Sequence, residues 1–142
     1  MIVVDASVAV KWFLSEPGSA AATLLLDRSE GEVIGPNLLG IEVCATLVRG
    51  ANVEKSNRIK ALGCLAKFNS MVESREVSLH QTNPDRLLRA AKLAVEIGHP
   101  LKDCIYLVLA MELGCPLATA DARFAAKARE VYDAVRMLGA ET

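Results

Sequence analysis

Short apolar runs alternate with helical segments along this chain, and this alternation is the feature that most restricts its fold. The first run, Met1-Ile2-Val3-Val4, is rich in β-branched residues and ends abruptly at Asp5. Such runs are typical of strands buried on both faces of a sheet. We predict strands at residues 1–4, 32–35, 77–79, 116–119 and 134–138, and helices at residues 7–14, 19–28, 37–50, 56–74, 84–98, 103–113 and 121–130.

Strands that alternate with helices form a parallel sheet covered on both faces. We therefore expect one α/β domain spanning residues 1–142, with Asn37 as the N-cap of the third helix. The chain is 52% hydrophobic and 23% charged, which favours a folded core over disorder. Its formal net charge of -1 excludes the class of strongly basic nucleic-acid-binding proteins. It does not exclude a protein that binds nucleic acid through metal ions or a local basic patch.

Four cysteines occur without a CxxC pair, which predicts free buried thiols in a reducing cytosol. The N-terminus lacks the basic region of a signal peptide. No uncharged apolar run reaches the length of about 20 residues that a membrane span needs. We therefore expect a cytoplasmic protein that does not enter a membrane.

Two acidic residues follow predicted strands. Asp5 comes directly after the first strand, and Asp121 lies one residue beyond strand 116–119. Open parallel sheets bind ligands outside the carboxyl ends of their strands. Each residue taken alone could equally be a helix N-cap.

Two further acids lie near helix starts. Glu42 forms a polar stripe with Thr46 and Arg49, which is either a solvated helix face or a face that overlooks the strand ends. Asp103 precedes an apolar segment that reads as a buried helix. Free backbone N–H groups and the helix dipole would stabilise its carboxylate, whether it acts as a cap or as a ligand.

Four carboxylates in one crevice would repel one another and need a compensating cation. Oxygen ligands without His or Cys favour Mg²⁺ or Mn²⁺, and such sites suit phosphoryl transfer. No Ser-His-Asp or Cys-His arrangement competes, and we expect His80 and His99 at the surface. Nucleotide-binding glycine motifs are absent from the sequence.

Four segments occur in the order found in PIN-domain ribonucleases: VVDASVAVKWF, the helix with Pro36, Glu42 and Arg49, LKDCIYLVLA, and LATADARF. Over residues 2–138 the chain resembles this family, and within it the VapC toxins of type II toxin–antitoxin systems. The resemblance implies a three-layer α/β/α sandwich with a central parallel sheet of four to five strands. It also implies a Mg²⁺- or Mn²⁺-dependent endoribonuclease in which a metal-activated water cleaves transfer or ribosomal RNA loops.

The resemblance further implies a homodimer and inhibition by a cognate antitoxin protein. The acidic positions of the family match four residues here, which become the expected catalytic and metal-ligating set: Asp5, Glu42, Asp103 and Asp121. Ser7 and Thr119 match small hydroxyl positions, and we expect them to orient carboxylates or bound waters.

Several residues beside these motifs have two readings. The cations Lys11, Arg49, Lys102 and Arg123 could contact RNA phosphates, or be solvated surface charges. Trp12 and Phe13 could stack on bases, but core or dimer packing suits apolar residues of a short helix better.

Other enzyme classes fit less well. Receiver domains need an acidic pair after the first strand, and haloacid-dehalogenase-type phosphatases need DxD, whereas this chain has Asp5 followed by Ala-Ser. The remaining alternative is a non-catalytic PIN-like protein-binding module, which would tolerate loss of the acids.

Overall fold

Five parallel strands form the centre of the protein in the computed structural model, which describes residues 1–140. In chain order they are β1 (Ile2–Val4), β2 (Val33–Pro36), β3 (Val77–His80), β4 (Leu117–Thr119) and β5 (Val135–Met137). Their order across the sheet is β3-β2-β1-β4-β5, and every neighbouring pair is parallel. The predicted parallel α/β sheet is confirmed, with five strands.

Seven α-helices flank the sheet within residues 1–140, consistent with the expected three-layer sandwich. They are α1 (Ala6–Ala9), α2 (Ser19–Arg28), α3 (Asn37–Val53), α4 (Arg58–Glu73), α5 (Pro84–Ile97), α6 (Leu101–Leu113) and α7 (Ala122–Ala128). Short 3-10 helices at Val10–Trp12 and Lys55–Asn57 extend α1 and precede α4. None of the helices in this part of the chain is long and apolar enough to cross a membrane.

The predicted N-cap of α3 was wrong: Pro36, not Asn37, holds that position, and no side chain caps that end. Helix α6 begins at Leu101, directly after its N-cap Pro100 and two residues before its predicted start at Asp103, so Asp103 lies in its first turn. Proline cannot donate a backbone hydrogen bond, and for this reason it is well tolerated at the beginning of a helix.

The core lies between the sheet and α6, which packs against β1, β2 and β4. Residues 104–110 are all buried, as the apolar sequence of this helix predicts. Trp12 and Phe13 are also buried; the Trp12 indole donates to the Ala22 carbonyl (3.0 Å), and Phe13 meets Phe68 edge to face. These two aromatic side chains therefore pack in the core.

The strand order places the ends of β1 and β4 side by side. Val4 pairs with Ala118, and the Asp5 N–H donates to the Ala118 carbonyl (3.2 Å). The chain turns from one side of β1 to the other between β3 and β4, so a crevice opens at this point of the sheet. Thr119 is the last residue of β4, and Asp5 and Asp121 follow the ends of β1 and β4.

Candidate active site

Asp5 is a buried carboxylate with three hydrogen-bond donors. Its Oδ1 accepts from Ser7 Oγ (2.5 Å) and from the Val8 N–H (3.3 Å), which makes it the N-cap of α1. Its Oδ2 accepts from Thr119 Oγ1 (2.5 Å). Only 4% of the residue is exposed. Burial of an acid is tolerated here because both carboxylate oxygens have partners.

The two hydroxyls that hold Asp5 are themselves fixed by the turn between β4 and α7. Ser7 Oγ accepts from the Ala120 N–H (2.8 Å), and Thr119 Oγ1 accepts from the Asp121 N–H (3.0 Å). Each hydroxyl has one proton, and that proton points at Asp5. The structure thus brings Ser7 and Thr119 to the carboxylate that the sequence associated with them.

Burial raises the pKa of Asp5 to about 6, even though the hydrogen bonds from Ser7 and Thr119 lower it. The charge of Asp103 raises it further. An ionised Asp5 is therefore destabilised by its surroundings at neutral pH, and a nearby cation would relieve this cost.

Asp103 is held by a histidine that the sequence analysis placed at the surface. His99 Nε2 lies 2.6 Å from Asp103 Oδ2, and an ionised carboxylate can only accept, so the imidazole donates. The ring of His99 stacks on that of buried Phe124, with centroids 5.2 Å apart, and its side chain is only 6% exposed. The surface prediction for His99 was wrong because α6 and α7 close over the ring.

The carboxylate of Asp103 does not cap its helix through a backbone N–H; its partner is His99. Burial raises the pKa of Asp103, the hydrogen bond from His99 lowers it, and the charges of Asp121 and Glu42 raise it. The carboxylates of Glu42 on α3 and of Asp121 at the start of α7 are therefore close enough to Asp103 to repel its negative charge.

Glu42 is bound on both sides by α6. Its Oε1 accepts from the Tyr106 hydroxyl (2.6 Å), and its Oε2 lies 3.6 Å from Lys102 Nζ. Burial and the charge of Glu42 raise the pKa of the Tyr106 phenol, so the phenol stays protonated as a donor. Glu42 is therefore not an ordinary solvated residue of the predicted polar stripe.

Asp121 caps α7, as its N-cap reading predicts. Its Oδ1 accepts from the backbone N–H groups of Arg123 (3.0 Å) and Phe124 (3.1 Å). The residue is exposed, and its Oδ2 accepts no hydrogen bond from residues 1–140. One oxygen of this carboxylate is thus used for the helix and the other faces solvent.

The four acids do not form a ready-made ligand cluster. Within residues 1–140, no three His, Cys, Asp or Glu side chains come together closely enough to hold a metal ion. The chemistry of the donor set nevertheless fits a hard divalent cation, since all four groups are carboxylates and the charges of neighbouring acids raise the pKa of Asp5 and of Asp103.

The basic residues near the site differ in whether their charged groups are paired within the protein or exposed to a ligand. Lys11 is engaged by Glu16 (3.0 Å) and by the Pro17 carbonyl (2.7 Å), so it is not free to contact a ligand. Lys102 is 68% exposed beside Glu42, and Arg49 and Arg123 are exposed as well.

Sequence reasoning missed His99 and Tyr106. The available signal was spacing, because His99 is four residues before Asp103 and Tyr106 is four residues after Lys102. This spacing is common by chance, and only the folded arrangement shows that Tyr106 meets Glu42 and that His99 meets Asp103.

The fold is similar to that of solved proteins. The crystal structure of PAE2754 from Pyrobaculum aerophilum matches with a TM-score of 0.71 and 21% identity, covering 96% of this chain and 88% of that one. The crystal structure of Mycobacterium tuberculosis VapC20, a sarcin-ricin loop cleaving toxin, matches with a TM-score of 0.69 and 17% identity, covering 89% of this chain and 94% of that one.

No functionally curated protein matches the sequence significantly. The family model of the PIN domain matches residues 2–130, which include all four acids and both hydroxyl residues. The chain therefore belongs to the PIN domain family.

Proposed function

We propose that this protein is a Mg²⁺- or Mn²⁺-dependent endoribonuclease and the toxin of a type II toxin–antitoxin system of the VapC kind. One observation carries the proposal: Thr119 Oγ1 links Asp5 to the Asp121 N–H at the neighbouring ends of β1 and β4, and two further carboxylates lie near enough to take part in the same charge interactions. The four carboxylates are Asp5, Glu42, Asp103 and Asp121. Burial and mutual repulsion raise the pKa of Asp5 and Asp103, which is the electrostatic situation of an acidic site that needs a cation.

Each acid has a proposed role. Asp5, Asp103 and Asp121 would hold one ion, directly or through water. Glu42 would hold a second ion or accept a proton from the attacking water. A bound divalent ion would supply charge neutralisation at the phosphodiester and a nucleophile at neutral pH. Ser7 and Thr119 keep the carboxylate of Asp5 in a fixed orientation.

RNA is the proposed substrate, in the form of transfer or ribosomal RNA loops. VapC20, a structural neighbour of this chain, is described as cleaving the sarcin-ricin loop. A phosphodiester backbone also suits this site, because metal ions would bridge its phosphates to the acids. The exposed ammonium of Lys102 would also attract phosphates. The cleaved strand would carry a 5′-phosphate if water attacks in line.

A cognate antitoxin and a second copy of the chain are the proposed protein partners, and the chain would act as a single cytoplasmic domain over residues 1–142. Five large apolar side chains on α3 and α4 are exposed, which supports a protein-binding surface there: Ile41, Val48, Val53, Ile59 and Leu62.

The test compares RNA cleavage by the wild-type protein with that by Asp5→Asn and Asp103→Asn, each with Mg²⁺, Mn²⁺ or EDTA. Outer partners of metal ligands alone contribute about 10–100-fold, so we expect each ligand variant to lose about 100-fold or more. Asp27→Asn is the matched control, because Asp27 is exposed on α2. Circular dichroism must show that all variants remain folded.

Unchanged cleavage in either acid variant would contradict the assignment. A wild-type protein that cleaves none of several structured RNAs with any divalent ion would instead favour the non-catalytic protein-binding module.

A further inference from the structure

We propose that Tyr106 is a positioning residue of this site, whose buried hydroxyl sets the orientation of the Glu42 carboxylate. The inference rests on the proposed function, and it adds a residue outside the four acids and two hydroxyls. It is carried by the 2.6 Å hydrogen bond from the Tyr106 hydroxyl to Glu42 Oε1.

Two residues of α6 contact the two oxygens of Glu42, but only one contact is rigid. Lys102 and Tyr106 are one helical turn apart and so share a face of α6. The Lys102 ammonium is 3.6 Å away on a side chain that is 68% exposed, and such an ion pair is weak and screened by salt. The Tyr106 ring is 1% exposed within the core, so its hydroxyl has a fixed position.

The same helix also holds another acid. Asp103 lies on α6 three residues before Tyr106, and Glu42 comes from α3. Through the phenol, α6 therefore sets the distance between the carboxylates of Glu42 and Asp103. Without that hydrogen bond, the flexible Glu42 side chain has only the exposed Lys102 to keep it near Asp103.

The chain contains a second tyrosine that shows what a purely structural phenol does here. The Tyr132 hydroxyl donates to the backbone carbonyl of Cys115 (2.7 Å) and touches that of Ala110 (3.3 Å). Two backbone carbonyls thus satisfy the hydroxyl of this half-buried tyrosine. In contrast, Tyr106 donates to a side-chain carboxylate at the proposed metal site.

The experiment compares Tyr106→Phe with Tyr132→Phe, since each change removes one phenolic oxygen and keeps the ring. Mn²⁺ binding is measured by calorimetry, and cleavage is measured over a range of RNA concentrations that gives both kcat and KM. We expect Tyr106→Phe to weaken Mn²⁺ binding or lower kcat by about 10-fold or more, with KM for RNA unchanged. We expect Tyr132→Phe to leave both quantities as in the wild type.

Both substitutions are then combined with Glu42→Gln. If Tyr106 acts through Glu42, Tyr106→Phe has no further effect on Mn²⁺ binding or kcat in the Glu42→Gln background. Equal losses in both backgrounds, or a Tyr106→Phe protein that behaves like Tyr132→Phe, would overturn the inference while leaving the proposed function intact. A wild-type protein that neither binds Mn²⁺ nor cleaves RNA would overturn the proposed function, and this inference with it.

Discussion

Thr119 Oγ1 donates to Asp5 Oδ2 at 2.5 Å, although the two residues are 114 positions apart in the sequence. The same oxygen accepts from the Asp121 N–H (3.0 Å). One hydroxyl therefore connects two of the four acids across the neighbouring ends of β1 and β4.

Replacing Thr119 by valine keeps the shape of the side chain but removes both hydrogen bonds. The buried Asp5 carboxylate then loses one of its three donors, the one at Oδ2. We expect the free energy of unfolding at pH 7 to fall by about 1–3 kcal/mol. Urea denaturation in EDTA measures it. Thr23→Val is the control, because Thr23 is exposed on α2. Equal stability of the two variants would show that the hydroxyl does not support Asp5.

The stability of the metal-free protein should fall as the pH rises from about 4 to about 7. Folding raises the pKa of Asp5 from its ordinary value of 3.8 to about 6, so the folded state binds more protons within this window. The stabilisation is full below the ordinary pKa and is lost as the pH passes the raised one. At 1.36 kcal/mol per pKa unit, the total loss is about 3 kcal/mol.

Denaturation of the wild-type protein in EDTA at several pH values measures this slope. Asp5→Asn should remove most of it, and the raised pKa of Asp103 should leave a smaller slope of the same sign. A wild-type protein that is more stable at pH 7 than at pH 5 without metal would contradict the prediction.

His99→Phe should reduce RNA cleavage by about 10–100-fold while the protein stays folded. The phenyl ring can still stack on Phe124, so the packing between α6 and α7 is kept, but Asp103 loses its donor. Cleavage rate and melting temperature are both measured. His80→Phe serves as the comparison, because His80 is half-buried at the end of β3, away from this pair. If both variants cleave equally fast, His99 has no role at the site.

Lys102→Gln should weaken RNA binding and reduce the dependence on salt. Loss of one contact to a single-stranded phosphate lowers the slope of log K against log salt concentration by about 0.7. Binding of a fluorescent RNA in EDTA measures this slope without cleavage. Lys11→Gln should leave the slope unchanged, because Lys11 is bound to Glu16 and the Pro17 carbonyl. A reduced slope in the Lys11 variant would show that this lysine contacts RNA.

Much of the architecture follows from local patterns. The alternation of β-branched runs with helical segments predicts a parallel sheet, because fully apolar strands need cover on both faces. Asp5 and Asp121 could be assigned to the carboxyl edge of that sheet because each of them follows a predicted strand. The motifs around them carry the resemblance to the family that the match over residues 2–130 confirms.

The partners of the acids depended on tertiary structure. Sequence periodicity indicates which face of a helix is apolar, but not which side chain of a neighbouring helix it meets. The start of α6 at Leu101 turns Asp103 toward His99, and the positions of α3 and α6 on the sheet bring the side chains of Glu42 and Tyr106 together. These contacts were therefore absent from the predictions.

Local sequence patterns are enough to give the α/β class, the burial of α6 and the positions of the four acids along the chain. The place of β1 between β2 and β4, the contact of Asp5 with Thr119 and the different hydrogen-bond donor of each acid follow from the folded arrangement alone. Strand and helix patterns arise from neighbouring residues, whereas the field on a buried carboxylate comes from groups that are distant in the sequence and that folding brings together.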